Sequence, residues 1–347
     1  MNVDYIVVGC GLAGISFCEQ LKANGRSFVV FDNQSQQSSI VAGGLYNPVI
    51  LKRFTSVWKS KEQLELALPM YANLEKELKV KLDYKIPVLR RFASTQEQNN
   101  WFTASDKPNL NNYLSTNLIP NKNASIDAPF GFGKVLKTGR IDTGCLVKLY
   151  REDLIEKNQL IQEAFVYDAL QIKKNTFGYQ EVETTKIVFS EGFGVKKNPF
   201  FNIPIKQSKG ELITIHAPDL KIDFVLKAGV FIFPFGNDLY RVGATYEWKD
   251  QSNSITQKAK NELLNKLKSV VNCDFKVVDQ VAGIRPTIVD RRPVVGKHAE
   301  INNLYILNGL GTRGVMIGPY VAKQLYNFIE NKKPLDKELD LNRFNKN

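Results

Sequence analysis

The chain has 347 residues, a hydrophobic fraction of 43% and a net charge of +12, from 47 Lys and Arg against 35 Asp and Glu. That length suffices for a large core and two folding units, and the 24% charged fraction is ordinary for a globular protein, which excludes a disordered chain. The basic excess suits a polyanion such as RNA, yet the lysines are scattered rather than clustered. No apolar run approaches the length of a membrane span. Cys10, Cys18, Cys145 and Cys273 form no CxxC and no metal-like spacing, which points to a reducing, cytoplasmic setting without disulfides.

Tyr5–Val8 is a short apolar run of the kind that a buried parallel strand shows, and it leads into Gly9-x-Gly11-x-x-Gly14. Ile15, Cys18, Leu21 and Lys22 follow at helical spacing, Asn24-Gly25 stops the helix, and Phe28–Phe31 is a second apolar run ending in Asp32. Strand, glycine turn, helix, strand and acid make a dinucleotide-binding unit. Gly9 lets the turn close, Gly11 lets amides reach a pyrophosphate at the helix N-terminus, and Gly14 lets helix and strand touch. Leu12 and Ala13 belong to the same cofactor-binding turn. Asp32 is placed to accept from a ribose diol and would repel a 2′-phosphate.

Downstream, Gly43-Gly44-Leu45 with Pro48 reads as a loop over the cofactor. Ser60–Leu82 is an amphipathic helix and Val88–Phe92 a strand, while the Asn-rich stretch Asn99–Asp127 is expected to be loop-rich surface. A helix capped near Asp142 or Thr143 runs to about Lys157. Leu160–Val166, Ala169–Lys173, Tyr179–Val182 and Lys186–Phe189 read as consecutive strands. The last ends in Glu191-Gly192-Phe193-Gly194, a glycine turn at the strand end where open α/β sheets hold ligands. Leu212–His216, Val230–Phe233 and Tyr240–Tyr246 alternate like an antiparallel sheet with one buried face, and Gln257–Val271 is an amphipathic helix. His216 and His298 read as structural or surface residues, and no histidine triad or metal site can be built from them.

A second fingerprint, Gly309-x-Gly311-x-x-Gly314, also follows a strand and opens a helix. A separate NAD site would need a further strand ending in an acid about 20 residues on, and Asn331-Lys-Lys-Pro334 with a charged tail stands there instead. The economical reading is a turn that completes the first site and brings both ends of the chain around one cofactor. It disfavours a flavoprotein reductase fed by NAD(P)H.

These motifs, taken with Lys209-Gly210-Glu211, Gly243-Ala-Thr-Tyr246, Gly283-Ile-Arg285-Pro286 and Asp290-x-x-Pro293-x-x-Gly296, resemble in order and spacing the FAD-dependent oxidases of the D-amino-acid oxidase superfamily. Within it the chain is similar to glycine and sarcosine oxidases, and to the oxidase half of the bifunctional enzyme that builds 5-methylaminomethyl-2-thiouridine in tRNA. The resemblance implies an α/β, overall α+β fold: a Rossmann-type FAD-binding domain with a parallel sheet (residues 1–55, 137–205 and 281–347) and a largely antiparallel substrate domain (56–136 and 206–280). It also implies oxidation of a C–N bond in a small amino acid or N-substituted glycine, with tRNA as an alternative substrate.

Arg285 then matches the arginine that clamps a substrate carboxylate, and Arg313 stands over flavin or substrate. Gly309, Gly311, Thr312, Gly314 and Val315 lie in the turn near the flavin pyrimidine edge. Val166 matches the backbone position that holds adenine, and Gly192 the turn against diphosphate or ribose. Phe231, Tyr246 and Tyr46 are candidate pocket walls. The sequence departs from the pattern in carrying Asp rather than Glu at position 32 and Phe231 where related glycine oxidases have Tyr. No Cys or His stands where FAD is attached covalently, so noncovalent FAD is expected. The resemblance extends to the oxidase half of the bifunctional enzyme and not to its methyltransferase half, which weakens the expectation of a tRNA substrate.

Overall fold

The apolar runs at the N-terminus build the centre of the molecule. In the computed structural model, which describes residues 1–344, the strand Asn2–Val8 lies between Phe28–Phe31 and Val182–Phe189, all parallel. Leu160–Ile161 extends this order beyond Phe28–Phe31, and Leu304–Asn308 pairs in parallel with Val182–Phe189. Val8 is level with Phe31 and Phe189, so the turns that begin at Gly9, Asp32 and Ser190 leave from one edge of the sheet. Leu304–Asn308 delivers Gly309 to that same edge. That edge is where an open α/β sheet presents its ligand.

Helices α1 (Leu12–Ala23), α2 (Ser60–Leu78), α4 (Thr143–Glu156) and α6 (Gly314–Asn331) pack around one core with this sheet, with α3 spanning Thr95–Ser105 elsewhere. The opposite face is aromatic: Phe31, Phe165, Tyr179 and Phe189 stack edge-on or face-on there. Burial of such rings is the main stabilising term, about 25 cal/mol per Å² of apolar surface removed from water.

A second, mostly antiparallel sheet of eight strands runs Lys276–Ile288, Ile205–His216, Leu239–Gly243, Val230–Gly236, Val225–Ala228, Val88–Arg91, Phe132–Val135, Leu114–Ile119. Strand alternation sorts its residues. Ile213, Ile215, Ile232 and Val242 face α5 (Gln257–Lys268) through Leu263 and Leu267. Ser208, Gly210, Leu212, Gly243, Phe231 and Arg285 lie on the other face, by their cross-strand register.

Several expectations change. Asn99–Asp127 is loop-rich but not loop throughout: the end of α3 and the strand Leu114–Ile119 interrupt it, and Trp101 is fully buried with its indole N–H donating to the Ser115 carbonyl. Polar asparagines hid a helix held by one large apolar anchor and capped by Ser94. The segment Leu160–Val166 pairs only over Leu160–Ile161, and Tyr167–Ala169 is a 3₁₀ turn. Residues 56–82 do not belong with the second sheet: Leu64, Ala67, Tyr71 and Leu74 of α2 enter the core of the first. The Lys276–Ile288 strand also runs unbroken across the boundary expected at 281. Residues 345–347 of the first assigned unit lie outside the described residues.

Candidate active site

The first glycine turn is built as its spacing demands. A Cβ on Gly14 would stand 1.9 Å from the Gly9 carbonyl oxygen, and one on Gly9, at φ +103°, 2.5 Å from that of Ser190. At the start of α1 the Ile15 amide is the first to bond back, to the Gly11 carbonyl. The Leu12 amide donates to Ser39 Oγ (3.0 Å), while those of Gly11, Ala13 and Gly14 have no acceptor among the described residues and remain open to an anion. Asp32 is fixed beside them, accepting from the Cys10 amide at 2.8 Å and the Gln34 amide at 2.9 Å and pairing with the nearly buried Arg151 of α4.

The second turn closes on the first. Gly309 and Gly311 both have positive φ, and the Cβ that Gly314 lacks would touch Leu12 at 3.0 Å. Gly318 approaches Ser16 in the same way, so α1 and α6 lie side by side. Asn308 knits the turns together: its Nδ2 donates to the Gly192 carbonyl and its Oδ1 accepts from the Gly309 amide. The amides of Thr312, Gly314 and Val315 have no acceptor among the described residues, whereas that of Gly311 is taken by the Pro286 carbonyl. Gly311 therefore shapes the turn and is not an amide donor to a cofactor.

Two arginines converge here. Arg285 Nη1 makes long contacts (3.4 Å) to the Ser208 and Thr245 carbonyls, and its guanidinium lies 4.8 Å from the centre of the Tyr246 ring. Arg313 donates to the Asn47 carbonyl at 3.1 Å, which ties the Gly43–Pro48 loop to the C-terminal turn. Neither guanidinium forms an ion pair among the described residues. Burial pulls both below the usual arginine pKa, with the Tyr246 hydroxyl acting the other way. A half-buried guanidinium without a counter-charge stays charged and is set to receive an anion. Ser208 and Thr287 on the two long strands, and Ser190 just past the Val182–Phe189 strand, carry buried hydroxyls with no partner among the described residues; Thr287 Oγ1 stands 3.9 Å from the Cβ position of Gly311.

Other expected residues land elsewhere. Tyr46 is not a pocket wall: its ring is 2% exposed in the core, and its hydroxyl is held by Asp83 (2.9 Å) and Lys85 (3.2 Å). Val166 is not in a strand, and its amide already donates to the Tyr179 hydroxyl at 2.8 Å, so it does not offer that donor to adenine. Gly44 serves the close approach to the Ile141 carbonyl; Gly43 borders the Phe233 ring, and Leu45 pairs with Arg140. Phe231 is partly buried on the arginine-bearing face, under Lys227, whose ammonium lies 4.2 Å from its ring centre.

Sequence reasoning assigned no site role to Arg151, Ser39, Asn47, Ser190 or Thr287. Arg151 has a faint signal, an arginine on the inner side of an amphipathic helix; the others are single polar residues that only folding brings together. Among the described residues no group of three or more His, Cys, Asp or Glu is arranged to hold a metal, and no helix is long and apolar enough to cross a membrane.

The open amides of the two glycine turns, the Asp32 carboxylate and the orphaned hydroxyls fit an FAD. Residues 4–327 match the family model described as FAD dependent oxidoreductase (DAO). The chain belongs to this family, and it is an oxidoreductase that uses FAD. It is 21% identical to an uncharacterized oxidoreductase, YurR, of Bacillus subtilis (strain 168), over 98% of each chain. Its fold is similar to that of glycine oxidase from Bacillus cereus ATCC 14579 (20% identity, TM-score 0.78, 96% of each chain). It is also similar to iminodiacetate oxidase from Chelativorans sp. BNC1 (16% identity, TM-score 0.77, 96% of this chain and 98% of that one).

Proposed function

We propose that the protein oxidises the C–N bond of a small amino acid or N-substituted glycine, with Arg285 binding the substrate carboxylate. The observation that carries this reading is the half-buried guanidinium of Arg285, which has no ion-pair partner among the described residues and lies over the Tyr246 ring. The names of the similar structures, glycine oxidase and iminodiacetate oxidase, support an amine next to a carboxylate. Bound FAD supplies the hydride acceptor. The protein's own work is binding and orientation. Arg285 offers a bidentate fork to the carboxylate, which places the neighbouring carbon at a fixed distance from the anchor. Arg313 adds positive charge where negative charge develops. The site has no histidine to act as base, and a neutral amine needs none. The Cys10 and Cys18 thiols are buried in the core, which supports noncovalent FAD.

Arg285→Ala is expected to stay folded and yellow while kcat/KM for sarcosine or glycine falls about a hundredfold, or roughly 2.7 kcal/mol. A variant that loses its flavin instead would move Arg285 into the cofactor shell and remove this reading.

A further inference from the structure

Beyond Tyr246 the chain presents a second ring. Trp248 stacks on Tyr246 with centroids 6.3 Å apart and planes 24° from parallel, and the two are 48% and 56% exposed. Two adjacent rings exposed together form a contiguous apolar patch of the kind that marks a ligand site. The segment that carries them is held firmly. Lys209, fully buried, pairs with Asp250 at 2.5 Å and donates to the Ser254 carbonyl. Glu247 accepts from the Trp248 and Lys249 amides at 2.9 and 3.0 Å and pairs with Lys258 at 3.0 Å. The backbone at Glu247 is bridged to Lys209 and the Trp248 carbonyl accepts from Gln207 Nε2. The backbone that carries the rings is therefore held rather than left as a free loop, and the Tyr246 ring lies against the Arg285 guanidinium.

We infer that Tyr246 and Trp248 form a subsite for a flat, unsaturated group carried by the substrate, next to the arginine that holds its carboxylate. This deepens the proposed function and rests on it. A planar π-system gains from stacking on such a surface what a saturated group of the same size does not. The subsite therefore selects carboxylates bearing an aromatic or heteroaromatic substituent over small or saturated ones.

The test is made on the FAD-loaded protein by two measurements. Binding of phenylacetate, cyclohexylacetate and acetate is followed by perturbation of the flavin spectrum. Turnover is compared for N-benzylglycine, N-(cyclohexylmethyl)glycine and sarcosine. The wild type is expected to prefer the phenyl compound over its cyclohexyl counterpart. Trp248→Ala is expected to lower that preference about tenfold, and Trp248→Phe to retain most of it. An equal loss across all three compounds, or no change in the ratio, overturns the subsite. If no glycine derivative is oxidised but the phenylacetate preference still depends on Trp248, the subsite stands and the proposed reaction falls. Because Trp248 is exposed, its truncation leaves the core intact.

Discussion

Asp32 shows how a legible residue acquires an illegible partner. Its place after the second strand follows from the motif alone, yet its carboxylate is oriented by Arg151, which lies 119 positions away on α4. With 5% exposure, Arg151 is a buried cation whose removal leaves Asp32 uncompensated. Arg151→Met is therefore expected to weaken FAD binding at least about tenfold while leaving FMN binding unchanged, because FMN lacks the adenosine ribose. Titration of apoprotein with each flavin, read by fluorescence quenching, checks this; an equal loss for both would mean that Arg151 merely supports the fold. Val166 and Tyr46 teach the converse. Both sit at plausible positions, and in both a neighbouring side chain, Tyr179 or Asp83, has already taken the polar group that function would need.

At the scale of elements, periodicity and glycine spacing carry furthest where local chemistry decides. The Leu12–Ala23 and Thr143–Glu156 helices, the parallel Asn2–Val8 and Phe28–Phe31 pair, and the alternating strands around Ile213 and Val242 all follow from pattern. The pattern fails where a tertiary anchor overrides composition, as Trp101 does for α3, and where a segment such as Leu160–Val166 reaches the sheet edge and stops pairing early. The long pair Ile205–His216 with Lys276–Ile288 sets the site by a close fit: a Cβ on Gly210 would stand 1.9 Å from Arg285 Nη2. Gly210→Ala is expected to displace the guanidinium and raise KM for a carboxylate substrate about tenfold or more with the flavin retained. In an Arg285→Ala background the same change should add little, since both act through one group. Additive losses in that double-mutant comparison would show that Gly210 acts elsewhere.

At the scale of the whole molecule, two glycine turns from opposite ends of the chain meet at one sheet edge, with α1 against α6, and a second sheet carries Arg285 toward them. The meeting of the turns was legible, because the second fingerprint lacks the strand and acid that would make it independent. The membership of α2 was not: an amphipathic helix shows that it packs but not against what, and only the fold seats Tyr71 with its hydroxyl on the Val315 carbonyl. The most direct test of this arrangement is anaerobic mixing of the purified, FAD-loaded protein with sarcosine while the visible flavin band is recorded. The account predicts that the band bleaches in wild type and scarcely in Arg285→Ala. A band that stays unchanged with every N-substituted glycine and bleaches only with NADPH would contradict it.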